Sequence, residues 1–243
     1  MKAIILAAGI ASRLRPLTND RPKCLLEIGD KCLLQRSFDA LISNGIKEFV
    51  IVTGYLHTLI EDFLTERYKD VKITFIHNAR YASTNNIYSL WLARPEAEGQ
   101  DVLLLDSDIL YDPLIVARLL ASPHADVLAL NNHPLGDEEM KVIPDAEGRV
   151  KEISKTCSVA EAKGESIGIE RMSASYTAAL YKELKKMMTI EGLDNIFYER
   201  AFERLIPQGH TFYVEDTTDL FSTELDTVED FNAARQLIPA HLY

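Results

Sequence analysis

Lys2-Ala3-Ile4-Ile5-Leu6-Ala7-Ala8-Gly9-Ile10-Ala11-Ser12-Arg13-Leu14-Arg15-Pro16-Leu17-Thr18-Asn19-Asp20-Arg21-Pro22-Lys23 follows directly on the first methionine. Lys2 to Leu6 read as a strand apolar on both faces, as strands inside a parallel sheet are. Ala7 to Gly9 are small enough for the backbone to approach a flat base. Arg13, Arg15, Arg21 and Lys23 supply cations that can meet phosphate oxygens. Strand, small-residue loop and cations come in the order expected of a bed for a nucleoside triphosphate at the carboxyl end of a buried strand.

The charge balance singles out the same stretch. The 243-residue chain has a formal charge of −11, yet residues 1–23 hold five cations (Lys2, Arg13, Arg15, Arg21, Lys23) against one anion, Asp20. An acidic chain does not coat nucleic acid or anionic lipid, so the cluster reads as a local anion site, with no nucleic-acid partner expected. No stretch approaches the roughly 18 apolar residues of a membrane span, so no membrane insertion is expected. Cys24, Cys32 and Cys157 form no C-x-x-C pair, which argues against a zinc site or a disulfide framework and favours a reducing, cytoplasmic setting. The short apolar run after Lys2 superficially resembles a signal peptide, but it reads better as the first strand of a repeating pattern.

That pattern alternates strands and helices over the first half, the mark of a parallel sheet with covering helices. Strands are expected at 3–6, 48–53, 71–77, 102–105 and 126–130. Helices are expected at 33–43, 58–67 and 86–93, the last stopping before Pro95, and another opens with Pro113 at its first helical position. From about residue 136 the pattern loosens. Strand-like 140–143 and 149–153 flank a turn, helices follow at 173–188 and 195–205, then strands at 211–214 and 222–225 and a closing helix at 228–237.

Two acidic motifs stand where ligands of a parallel sheet collect. Val102 to Leu105 is an apolar strand that ends in Asp106-Ser107-Asp108, and two carboxylates there are costly unless a cation compensates them. Magnesium suits such a site, since it takes one or two carboxylates and completes its octahedron with phosphate oxygens and water. In Glu224-Leu225-Asp226-Thr227-Val228-Glu229-Asp230, Asp226 is either a helix cap or a metal ligand. Thr227 with Asp230 can do the capping and so free Asp226. In Tyr81-Ala82-Ser83-Thr84-Asn85-Asn86-Ile87-Tyr88-Ser89-Leu90-Trp91, one asparagine can cap the helix. The other then offers a spare amide, donor and acceptor, to a pyrimidine edge. Tyr88 and Trp91 could form part of an aromatic box, but core packing is the better reading. The six histidines show no metal-binding spacing and receive no ligand role. Neither G-x-x-x-x-G-K-[ST] nor G-x-G-x-x-G occurs.

Together these motifs resemble the bacterial nucleotidyltransferases that make nucleotide-activated phosphates. Asn85-Asn86-Ile87-Tyr88-Ser89-Leu90 resembles the Asn-Asn-x-Tyr-Ser-Leu segment of cytidylyltransferases acting on phosphocholine and 2-aminoethylphosphonate. The family loop commonly reads Gly-x-Gly-[Ser/Thr]-Arg, and Ala11 replaces its second glycine, a residue that resists positive φ. The resemblance implies an α/β, Rossmann-like, mixed but mostly parallel sheet flanked by helices, of the nucleotide-diphospho-sugar transferase type, with a smaller acceptor-binding lid. One domain is expected over 1–243. Residues 1–135 would form the nucleotide-binding core, about 136–220 the acceptor part, and 221–243 the metal-ligand strand and closing helix.

The implied function is a magnesium-dependent transfer of CMP from CTP to a small phosphate or phosphonate, releasing pyrophosphate. Lys23 and Arg13 would be catalytic. Leu6, Ala8, Gly9, Ser12, Arg13, Lys23, Tyr81, Asn85, Asn86 and Asp106 would hold the nucleotide, and Asp108 and Asp226 the metal. Glu139, Lys141 and Glu165 would meet the acceptor. Met140 stands where phosphocholine enzymes use an aromatic residue, which speaks against choline itself. The alternatives are a sugar-1-phosphate or polyol-phosphate nucleotidyltransferase using UTP, dTTP or CTP, and a non-catalytic nucleotide-binding domain. The joint presence of Arg13, Lys23, Asp108 and Asp226 argues against the latter. All these readings are compatible with a homo-oligomer.

Overall fold

A computed structural model describes residues 1–242. The first half runs β1 (Lys2–Ala7), β2 (Glu27–Ile28), β3 (Lys31–Cys32), α1 (Leu33–Ser43), β4 (Glu48–Thr53), α2 (His57–Arg67), β5 (Lys72–His77), α3 (Asn86–Leu92), α4 (Arg94–Ala97), β6 (Val102–Asp106), β7 (Ile109–Tyr111), α5 (Leu114–Ala121) and β8 (Val127–Asn131). The second half runs β9 (Lys141–Pro144), β10 (Val150–Ser154), β11 (Gly164–Met172), α6 (Ala174–Thr189), α7 (Glu199–Leu205), β12 (Tyr213–Asp216), β13 (Ser222–Glu224) and α8 (Val228–Leu237).

Among the described residues, nine strands form one sheet. β1 pairs in parallel with β4 and β6, β4 in parallel with β5, and β12 in parallel with β8. β11 runs against them. It pairs antiparallel with β8, with β6 at Ile169–Met172 and with β9 at Gly164–Glu165, while β10 turns back on β9. The sheet is thus mixed and mostly parallel, with helices on both faces.

Side-chain alternation along each strand explains the two faces. Ile4, Leu6, Val50, Val52 and Leu104 pack with Ile87, Leu90, Leu180 and Phe202 of α3, α6 and α7. Ala3, Ile5, Phe49, Ile51 and Leu105 pack with Phe38, Ile60, Leu64 and Ile115 of α1, α2 and α5. With both faces covered, β1 has no place for polar side chains, so its polar neighbours gather beyond its carboxyl end.

A third cluster joins the two ends of the chain. Leu14 of the opening loop packs with Leu110 of β7, with Leu225 after β13, and with Phe231 and Ala234 of α8. β13 pairs with β7, so the late acidic motif is drawn beside Asp108. The opening loop is held from within as well. Ala11 adopts a left-handed conformation with φ 50°, and its carbonyl accepts from the Leu14 N–H at 3.1 Å and from the Thr18 hydroxyl at 2.9 Å. Tyr55 donates from its hydroxyl to the carbonyls of Thr18 and Asn19, fastening the loop to the turn after β4.

Several elements differ from expectation. β11, the longest strand, is absent from the sequence reading because Glu165, Ser166, Glu170 and Arg171 interrupt its apolar pattern. The interior accepts Arg171 because its guanidinium donates to the carbonyls of Leu120, Ser122, His124 and Ala125. The short hairpin β2–β3, strand β7 and helix α4 are also additions. α3 does end before Pro95, but Pro95 then sits in the first turn of α4, where its missing N–H costs nothing. Pro113 precedes the first residue of α5 instead of occupying it, and α7 starts at Glu199 instead of residue 195. No helix is long and apolar enough to cross a membrane among the described residues.

The left-handed Ala11 generates a stability test. Replacing it with glycine removes a Cβ penalty of about 1 kcal/mol, so Ala11→Gly should raise the denaturant midpoint slightly. Thr18→Val, which takes a buried donor from the Ala11 carbonyl, should lower unfolding stability by about 1–2 kcal/mol. A glycine variant less stable than wild type would show that the loop, not the residue, sets this conformation.

Candidate active site

The carboxyl ends of β1 and β6 open into a crevice of about 1150 Å³. Leu6, Ala8, Gly9, Ser12, Arg13, Lys23, Tyr81, Asn85, Asn86, Asp106, Asp108, Glu139, Glu165 and Asp226 all line it. Lys141 does not. It is buried at 1 % exposure, and its ammonium donates to the carbonyls of Glu139 and Lys155, tying the start of β9 to the end of β10. Its expected contact with the acceptor is therefore corrected to a positioning role, since the backbone has already taken its charge. Arg15 and Arg21 of the opening cluster also lie outside the crevice lining, and Arg21 pairs with Glu27 at 3.5 Å.

At the centre of the crevice stands an ion cluster. The Lys23 ammonium donates to Asp108 Oδ2 at 2.9 Å and to Asp226 Oδ1 at 2.7 Å, and Arg13 donates to Asp226 Oδ2 at 2.5 Å. Burial works against the charge on Lys23, yet Asp108 and Asp226 outweigh it and raise its pKa. Burial likewise opposes the charge on Asp226, and Lys23 and Arg13 hold its carboxyl below the usual range. Asp226 is free for this because Thr227 and Asp230 form a full capping box at the start of α8.

The structure adds Glu224, which sequence reasoning missed. One carboxylate oxygen from each of Asp108, Glu224 and Asp226 falls within 4.8 Å of the others. Glu224 opens onto the crevice, but the surrounding protein and then the charges of Asp108 and Asp226 push its carboxyl up to about 8, against the pull of Lys23. Glu224 and Asp226 are two apart at a strand end, a spacing that puts them on one side, and this signal was available in the sequence. Asp108 Oδ1 is buried with no hydrogen-bond partner. Three converging carboxylates, one with an orphaned oxygen, fit a hard divalent cation that prefers oxygen ligands.

Asp106 lies beside this cluster and accepts from the Tyr198 hydroxyl at 3.0 Å. Burial, then the charges of Asp108, Glu199, Glu170 and Glu224, raise its pKa. Gly168 makes room for it. With φ +71°, this residue sits at the irregularity in β11, and a Cβ there would come within 2.8 Å of Asp106 Oδ2.

The paired asparagines divide their work differently than expected. Asn85 Oδ1 accepts from the Asn86 N–H at 2.8 Å and caps α3, while Asn86 Oδ1 accepts from the Tyr198 N–H at 3.0 Å. Each side-chain oxygen thus already holds one hydrogen bond within the protein, while both Nδ2 groups keep their donors. Neither Tyr88 nor Trp91 lines the crevice. Trp91 packs against the core, and Tyr88 lies under the Arg80 guanidinium.

The far end of the crevice is acidic. His133 Nε2 lies 2.6 Å from Glu165 Oε2, an assignment that the histidine spacings did not suggest. Burial raises the Glu165 pKa, partly offset by His133. Glu139 accepts from the Gly136 N–H, which with its own N–H holds its pKa low despite burial. Glu199, another addition, is 7 % exposed; its Oε2 has no hydrogen-bond partner, and burial pushes its carboxyl up to about 7. Phe197 stands next to it with its ring under the Lys155 ammonium at 4.6 Å.

Comparison with known proteins agrees with this layout. Residues 2–126 match the profile of the Nucleotidyl transferase family. The chain is 28% identical over 248 residues to CMP-5'-(3-aminopropyl)phosphonate synthase of Streptomyces rubellomurinus, covering 95% of this chain but only 37% of that longer protein. It is 28% identical over 228 residues to CTP:phosphoglutamine cytidylyltransferase of Campylobacter jejuni, covering 85% and 88% of the two. Its fold superposes on the solved structure of CTP:phosphocholine cytidylyltransferase from Streptococcus pneumoniae with a TM-score of 0.83 and 26% identity, covering 98% and 99%. Because the family profile spans more than half of the chain and the fold superposes over nearly all of it, the chain belongs to the nucleotidyl transferase family and is a nucleotidyltransferase.

Proposed function

We propose that the enzyme transfers CMP from CTP to a small phosphate or phosphonate that also carries an ammonium group, releasing pyrophosphate. The observation that carries this reading is the crevice itself, with Arg13 and Lys23 set against three carboxylates at its centre and a second acidic group at its far end. Similarity to cytidylyltransferases supports CTP as the donor. In this reading residues 1–135 hold the nucleotide, about 136–220 the acceptor, and 221–243 bring the acidic strand end and closing helix.

Leu6, Ala8, Gly9 and Ser12 line the base and ribose end with Tyr81. The Nδ2 donors of Asn85 and Asn86 suit the ring acceptors of a pyrimidine. Asp106 supports the same end, steadied by Tyr198. Asp108, Glu224 and Asp226 are the residues that would hold magnesium. When bound, such an ion supplies charge compensation for the triphosphate and its leaving group.

The acceptor needs no general base. The second pKa of a phosphate monoester is about 6, so the attacking oxygen is already largely ionised at neutral pH. A bond forms between that oxygen and the α-phosphorus, and the α–β bridge bond breaks. Lys23 sits where it can align the α-phosphate with the incoming oxyanion, and Arg13 where it can hold the β- and γ-phosphates. At the far end, Glu139, Glu165 and Glu199 suit the acceptor's cation, with Glu199 the one lacking a partner.

A panel of CTP, UTP, dTTP and ATP against phosphocholine, 2-aminoethylphosphonate, polyol phosphates and sugar 1-phosphates, read by pyrophosphate release, tests the reading. CTP with an ammonium-bearing acceptor should dominate. Lys23→Met, folded by circular dichroism, should lose at least about a hundredfold in kcat. Preference for UTP and a sugar phosphate would replace this reading with the sugar-nucleotide one. Glu224→Gln should raise the magnesium concentration needed for half-maximal rate by about 10-fold or more, and an unchanged magnesium curve would remove Glu224 from the metal set.

The raised carboxyl of Glu199 also makes a pH prediction. Its pKa rises from 4.5 to about 7 on folding, so the folded state favours the protonated form. Stability attached to that proton is present below 4.5 and is lost as the pH rises towards 7. Glu199→Gln should therefore raise Tm at pH 8 and give little gain at pH 4.5. An equal shift at both values would mean that Glu199 is ionised throughout.

A further inference from the structure

A second cavity, of about 450 Å³, lies behind the acceptor end of the crevice. Ile153, Leu193, Ile196 and Phe197 give it apolar walls between β10, the segment before α7 and α7 itself. Four of its residues, Met140, Lys155, Phe197 and Glu199, also line the main crevice, so the two spaces share a wall and meet at these side chains. Phe197 is 42 % exposed, so its ring is open to a ligand at this wall.

The charges around this cavity do not call for an anion. Arg200 is paired with Glu203 at 2.5 Å, and Arg204 with Glu191 at 2.8 Å and Glu183 at 3.3 Å. Lys155, at the boundary of the two spaces, pairs with Glu138 at 3.4 Å, and Glu199 Oε2 beside it has no hydrogen-bond partner. A cation held there can carry a substituent onward into the apolar space, where the walls would otherwise face water.

Resting on the cytidylyltransferase reading above, we propose that the acceptor is a secondary amine. Its phosphate or phosphonate lies in the main crevice, its ammonium meets Glu199, and an N-alkyl or N-arylalkyl group fills the cavity behind Phe197. The acceptor would then be a larger, N-substituted aminoalkyl phosphate or phosphonate, and the second cavity would be the specificity pocket for its substituent. Met140 and the Phe197 ring, with Lys155 beside it, form the passage between the two spaces.

Initial rates of pyrophosphate release with CTP and magnesium decide the matter, using 2-aminoethylphosphonate and its N-methyl, N-butyl and N-benzyl derivatives. The value of kcat/KM should rise along the alkyl series, by about fourfold for each methylene buried. Thr156 is exposed and lines the second cavity alone of the two. Thr156→Trp, which fills that space, should cost the N-butyl and N-benzyl acceptors about 10-fold or more while leaving 2-aminoethylphosphonate within about twofold. Derivatives used no better than the parent compound, or affected by Thr156→Trp no more than the parent is, would overturn the proposal and leave the cytidylyltransferase reading standing. Failure of CTP to react with every acceptor, including phosphocholine, would overturn that reading and this proposal with it.

Discussion

Asp108, Glu224 and Asp226 bring three carboxylates within 4.8 Å of one another, and like charges that close cannot all stay ionised without a cation among them. Lys23 meets that need within the chain, bonding to Asp108 and Asp226 at once. The four residues come from three distant stretches of the sequence, so their meeting constrains how the opening loop, the end of β6 and the end of β13 can be placed. The same arrangement sets the cations of the loop directly against the acids opposite it.

Apolar packing, not the ion cluster, supplies the stability that holds these charges together. β1 is covered on both faces, which leaves its carboxyl end as the place where polar groups can collect. The cluster around Leu14, Leu225 and Phe231 then closes the two chain ends upon each other and sets the acids of the late motif beside the loop. Thr18 and Tyr55 complete this by fastening the loop, so Ala11 can keep a left-handed backbone that usually favours glycine.

β11 and the segment before α7 build the wall of the crevice around Asp106. Gly168 in β11 gives Asp106 its space, and Tyr198 reaches Asp106 with its hydroxyl and Asn86 with its N–H. Phe197 and Glu199, on either side of Tyr198, both line the crevice. One short segment thus contributes to the crevice wall and is tied by hydrogen bonds to Asp106 and Asn86.

Local pattern was enough for much of this. The apolar run 2–6, the order of residue types up to Lys23, Asp108 at a strand end and the Thr227–Asp230 cap are all short-range signals, and the helices 33–43 and 228–237 were legible to the residue. By itself, then, the sequence determined the α/β class, the cation-bearing opening loop and the kind of chemistry, because periodicity and residue order depend on neighbours in the chain. β11 was invisible because its polar side chains find partners only after folding, as Arg171 does among four carbonyls. Lys141 was misjudged and Glu199 missed for the same reason, whereas the two-residue spacing of Glu224 from Asp226 was there to be read. Tertiary structure alone decided which charges face the crevice and which are spent on the backbone, since a side chain's free hydrogen-bonding capacity depends on partners brought to it from far along the chain.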